Sequence, residues 1–179
     1  MWKGKGAITK SLKCKAALMR TLKPYLPFNL LCQVGNAIIN STILYCAPIW
    51  GPSSKGNRDK VQAAQIRSAR IITGIWNWEA ESSHRQDLLT SMKWPNVEQL
   101  VTISTINLLK NAIDGQSSKG LQEMFKVTKP REASRRQEIR VDHRGSQTRV
   151  NNMFSANATH IFNNLPSEIR CPSMSKRKF

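Results

Sequence analysis

Acidic residues are scarce in this chain: 11 Asp and Glu stand against 28 Lys and Arg in 179 residues. Asp59, Asp87, Asp114 and Asp142 lie far apart, and no Asp-Asp pair occurs. Two-metal phosphoryl transfer needs converging carboxylates, so nothing in the pattern points to it. No Walker-type glycine loop is present to cradle a nucleotide. The cysteines, Cys14, Cys32, Cys46 and Cys171, form no C-x-x-C or Cys/His spacing, so no zinc site is expected. Cys32 and Cys46 sit among apolar neighbours and read as buried thiols of a reduced, intracellular protein, nuclear or cytoplasmic. No apolar run follows the basic Met1–Lys15 directly, so no signal peptide is expected. Three histidines remain. His84 and His143 have polar neighbours and His160 borders an apolar stripe, and none is read as catalytic. The expectation is a chain without catalytic residues, metal or cofactor.

What is present is positive charge. The formal net charge is +17, an excess that favours polyanions and says little about fold. It is unevenly spread. Residues 1–60 hold ten basic side chains and one acidic; residues 61–125 hold six of each; residues 126–149 hold eight basic and three acidic. A neutral middle between basic flanks predicts a folded centre with polyanion-attracting ends.

From Pro24 to Ser54 no side chain is charged. Asn29, Gln33, Asn36 and Asn40 recur at i, i+4, i+7 and i+11, one face of a helix, while Leu30, Leu31, Val34, Ala37, Ile38, Leu44 and Tyr45 take the other faces. Four amides in line argue against a membrane span and for a helix inside a bundle. Pro48 disfavours helical geometry at Ala47 and sets a stop near Cys46. Trp50, between that stop and the flexible Gly51–Asn57 turn, is expected to close one end of the core.

The remaining periods are helical. Ser11–Leu22 is a basic helix with Leu12, Ala16, Met19 and Leu22 as its stripe. Arg58–Thr73 turns Val61, Ala64, Gln65, Ser68, Ala69 and Ile72 inward and ends at Gly74. Trp76 and Trp78 read as packing residues, with base stacking as the other use. His84–Met92 is a short helix, and Pro95 opens another that runs to Ile113. Residues 126–150 are rich in charge and poor in large apolar side chains, so an ordered core element is not expected there. Phe154, Ala158, Ile161, Phe162 and Leu165 mark an amphipathic helix that Pro166 ends. The predicted class is all-α: an irregular helical bundle (1–125), a basic flexible linker (126–152) with at most a short extended piece near 138–141, and a C-terminal amphipathic helix with a basic tail (153–179).

The order of these motifs resembles the C-terminal end of non-LTR retrotransposon reverse transcriptases of the jockey-like, LINE-type group. Tyr45, Pro48, Trp50 and Gly51 match that family's Y-x-x-x-x-W-G. Gln62, Gln65, Arg67, Arg70, Ile71, Ile72 and Gly74 match its Q…Q…R…RIITG helix. Phe162, Asn163, Leu165, Pro166, Ile169 and Arg170 match its W-N-x-L-P-x-x-I-R, with Phe162 in place of Trp. The family's catalytic aspartates belong to fingers and palm, upstream of every motif here. The resemblance therefore implies the thumb and downstream part of an RNA-directed DNA polymerase, gripping template and primer without making bonds.

Both lines lead to sequence-nonspecific binding of an RNA or DNA backbone. The candidate contacts are Lys10, Lys13, Arg20, Lys23, Arg67 and Arg70 on helices, with Arg131, Arg135, Arg136, Arg140 and Arg144 in the basic stretch. The alternative is a host-adopted, basic protein-interaction or structural module. Self-association through the apolar faces of 30–45 or 154–165 is a further expectation, because a thumb normally packs against a palm.

Overall fold

The computed structural model describes residues 5–75, 82–128, 140–143, 154–166 and 170. The chain is predominantly helical, as its periodicity predicts, with one small two-stranded ribbon among the described residues. Among the described residues no helix is long and apolar enough to cross a membrane. Two compact units divide at Val101/Thr102, so a break at residue 125 falls inside the second of them.

The first unit contains α1 (Lys5–Leu22), α2 (Phe28–Gly35), a π-helical turn (Asn36–Asn40), α3 (Ser41–Leu44), α4 (Ala47–Trp50), α5 (Lys55–Thr73), α6 (Ser82–Ser91) and the start of α7 (Val97–Ile113). Ile8, Leu12, Ala16 and Met19 form the buried stripe of α1. Helix α5 lies deepest. Val61, Gln65, Ile66, Ser68, Ala69, Ile71 and Ile72 are all buried, which leaves it a single exposed strip through Asp59, Lys60, Ala63 and Arg67. Gly74 ends it at φ 80°, its N–H donating to the Arg70 carbonyl, as a glycine at that position permits. Asn96 and Gln99 cap α7 reciprocally, each side chain accepting from the other's backbone N–H.

The π-turn revises the expected polar line. Asn29, Gln33 and Asn36 are exposed, but Asn40 is buried. A π-turn advances the chain with more residues per turn than an α-helix. It therefore keeps Leu31, Gly35, Ile39 and Ile43, four apart, on one buried face that a regular helix would let drift. The same rotation carries Asn40 inward, while Leu30 and Leu44 are exposed. Buried Asn40 is satisfied: the Gln65 Nε2 amide donates to its Oδ1 at 2.8 Å and to the Pro95 carbonyl at 2.8 Å. Gln62 donates to Gln65 Oε1 and accepts from the Val97 N–H, so two glutamines of α5 tie the π-turn to the start of α7.

The helix ends beside Cys46, as expected, but Pro48 is not what ends it, and Ala47 is helical. Tyr45 leaves helical geometry, Cys46 takes a left-handed φ of 53°, and Pro48 sits in the first turn of α4. There its missing N–H costs nothing. Trp50 is buried and donates from Nε1 to the Tyr45 carbonyl, so it closes the core from its own loop. Gly51 is needed for space: a Cβ there would stand 2.3 Å from Val101 Cγ1.

The second unit holds the rest of α7, α8 (Lys119–Glu123), β1 (Phe125–Thr128), β2 (Arg140–His143) and α9 (Phe154–Asn163). The strands pair antiparallel, Phe125 opposite His143 and Val127 opposite Val141. Part of the segment expected to be a flexible linker is thus ordered. Among its described residues Val141 is fully enclosed, with Leu109, Ala112, Phe125, Ala158 and Phe162. The apolar face of 154–165 is accordingly covered, and Phe154 meets Phe125 edge-on with ring centroids 5.9 Å apart.

Candidate nucleic-acid interface

Helices α1 and α5 run side by side in the same direction. At their N-terminal ends Gly6 and Thr9 share a cleft of about 260 Å³ with Asn57 and Lys60. At their C-terminal ends Lys23 Nζ donates to the Ile71 carbonyl at 3.0 Å. With 18 and 19 residues, each helix is about 27 Å long at 1.5 Å per residue.

The cations follow from this arrangement. On α1, Lys13 and Arg20 continue the strip of Thr9 at i+4 and i+11. On α5, Arg67 continues the strip of Lys60 at i+7. Thr9 and Lys60 border one cleft, and helical period sets Lys13 and Arg20 on the strip of Thr9 and Arg67 on the strip of Lys60. Successive cations on each helix, seven residues apart, are separated by about 10 Å. Lys10 lies one strip further round α1. Arg70 borders the far edge of α5's exposed strip and is half-buried. Among the described residues, none of these six side chains makes a hydrogen bond or ion pair within the protein.

Other cations of the first unit are engaged. Lys23, a sequence candidate, caps the carbonyl end of α5, where a positive charge also meets the helix dipole favourably. Arg58 donates from Nη1 to the carbonyls of Gly51 and Ser53 and closes that turn. Lys15 donates to Thr42 Oγ1. Of the basic-stretch candidates, Arg140 opens β2, and Arg131, Arg135, Arg136 and Arg144 lie outside the described residues, as do Trp76 and Trp78. Lys60 escaped the sequence reading. Its seven-residue spacing from Arg67 was the signal that could have found it.

The motif residues separate by what they touch. Trp50, Gly51, Gln62, Gln65, Ile71, Ile72 and Gly74 are explained by packing, space, hydrogen bonds or backbone geometry in the first unit. Phe162, Asn163 and Arg170 are explained in the second, where Arg170 Nε donates to the Leu165 carbonyl at 2.9 Å. Arg67 and Arg70 have no such internal use for their side chains among the described residues.

The thiols are unpaired at Cys14, Cys32 and Cys46. Cys32 and Cys46 are half-buried rather than enclosed, and burial pushes the Cys32 thiol above its ordinary range. Among the described residues no group of His, Cys, Asp and Glu is placed to hold a metal ion. No protein-family model, curated protein or solved structure matches the chain.

Proposed function

We propose that this chain grips the phosphate backbone of RNA or DNA without reading sequence, as a thumb-like, non-catalytic part of a non-LTR reverse transcriptase would. The observation that supports the reading is the α1/α5 pair, with Lys60 at the cleft between the helices and Lys13, Arg20 and Arg67 on the strips that continue its two sides, none of the four making a hydrogen bond or ion pair among the described residues. Adjacent phosphates of one strand advance about 3.4 Å along a duplex axis, so a 10 Å step between cations spans about three nucleotides. Lys10 and Arg70 widen the footprint, and Arg131, Arg135, Arg136, Arg140 and Arg144 raise the chain's positive charge and with it the general attraction for polyanions. Binding of this kind is driven by counterion release, and about six phosphate contacts correspond to a salt slope near −5. Such a role fits an intracellular location, where free thiols stay reduced.

Electrophoretic binding to RNA and DNA over a range of salt tests the reading. Binding to both, weakening steeply with salt, supports it. Absent or salt-insensitive binding favours a protein partner instead. Primer extension tests the absence of catalysis: nucleotide incorporation by the purified chain would overturn it.

A further inference from the structure

A second cleft, of about 500 Å³, opens between α1 and α3. That is the size of pocket that takes a small organic molecule. Its walls are mostly apolar, with Ala7 and Ile8 from α1 and the ring of Tyr45 at the rim. Tyr45 is there because the chain turns at left-handed Cys46, and the residue is 74% exposed. The polar groups are the hydroxyls of Ser11, Ser41 and Thr42, and the Lys15 ammonium.

Lys15 is half-buried in this cleft. It donates to Thr42 Oγ1, whose hydroxyl donates onward to the Ile38 carbonyl at 2.7 Å. An ammonium has three protons to give, so the Thr42 contact leaves donors over. No counter-charge is near in sequence: no Asp or Glu precedes Asp59, so α1, α2, the π-turn, α3 and α4 contain no carboxylate. A half-buried cation in mostly apolar walls is completed by an anion, and charge-assisted hydrogen bonds are the strong ones. The other polar groups of the cleft are neutral hydroxyls, so one negative charge fits and a polyanion does not.

We infer that the α1/α3 cleft binds an amphipathic monocarboxylate: an apolar chain or ring carrying a single carboxylate, which meets Lys15 while the body lies on Ala7, Ile8 and Tyr45. This inference does not rest on the α1/α5 groove, although Ile8 borders both clefts. Lys15 and Lys13 lie on opposite flanks of α1, separated by the buried stripe of Leu12 and Ala16.

The test is dye titration of the full chain with 8-anilinonaphthalene-1-sulfonate and with its uncharged analogue N-phenyl-1-naphthylamine. One saturable site for the anionic dye is expected, at least about tenfold tighter than for the neutral one. Decanoate should displace the dye and decanol should not. K15M should weaken the anionic dye about tenfold, and K15R should restore it. Equal affinity for both dyes, no saturable binding, or an unchanged affinity in folded K15M would each overturn the proposal. So would displacement of the dye by an oligonucleotide. The two-dye comparison uses the unmutated chain, so it decides even if K15M fails to fold.

Discussion

The side-chain amide of Asn163 holds both backbone groups of Val141: Oδ1 accepts from the Val141 N–H at 3.2 Å, and Nδ2 donates to its carbonyl at 2.8 Å. One side chain of α9 thereby acts as a neighbouring strand on the edge of β2 away from β1, where no other strand lies among the described residues. Val141 is itself the fully buried centre of the second unit's core. An orphaned backbone pair there would be costly.

N163A should therefore lower stability by about 2 kcal/mol, the order expected for two buried backbone groups left without partners. N163D should be at least as damaging, since a carboxylate can accept from the Val141 N–H but faces its carbonyl with no proton to give. Hydrogen exchange reads the effect locally: the Val141 amide should lose protection in both variants. Unchanged protection would remove Asn163 from its stapling role.

Gly51 is required by volume, since its φ of −57° suits any residue. G51A should cost about 1–3 kcal/mol through overpacking against Val101 Cγ1. Adding V101A should recover part of that loss, because the clashing branch is gone. Contact with the Ala47 carbonyl, 2.7 Å from the added Cβ, prevents full recovery. Denaturant unfolding of the two single variants and the double variant gives the coupling, and strict additivity would contradict the packing account.

Cys32 predicts an order of thiol reactivity and a sign of pH dependence. Burial raises its thiol above the ordinary range, whereas Cys14 is exposed. In a C171S background, a disulfide reagent at mildly alkaline pH should modify Cys14 well before Cys32. Because the folded value is raised, the group's contribution to stability is complete below the unfolded chain's thiol range and is lost as pH rises through the folded value. C32S should flatten that alkaline decline. A decline identical in C32S and the parent would assign it elsewhere.

Much of the first unit was legible in the sequence because its residues carry strong, local signals. Trp50 before a Gly-Pro turn, Gly74 after a periodic helix and Gln65 on an inner face each end where the spacing put them. The π-turn was not legible. It inserts no unusual residue, and only the four-residue spacing of Leu31, Gly35, Ile39 and Ile43 betrays it. The ribbon was half legible: a short extended piece was expected near 138–141, where β2 lies, but with one apolar residue, Val141, among polar neighbours the composition still read as linker. Its partner, Asn163, is 22 residues away, beyond any local pattern. At the candidate interface, exposure of Lys10, Lys13, Arg20 and Arg67 followed from helical period, but Lys23 could not be told from them. Its use as a helix cap depends on α1 and α5 lying parallel.

Lys23 and Arg67 therefore make the sharpest pair of variants, equal in charge and different in use. The most direct measurement is fluorescence anisotropy of a labelled oligonucleotide against salt for the parent, K13Q, R67Q and K23M. A log–log slope near −5 is expected for the parent. K13Q and R67Q should each reduce its magnitude by about one. K23M should leave the slope unchanged while lowering the melting temperature slightly. A flat salt dependence, or a slope indifferent to K13Q and R67Q, would contradict backbone binding along the α1/α5 groove.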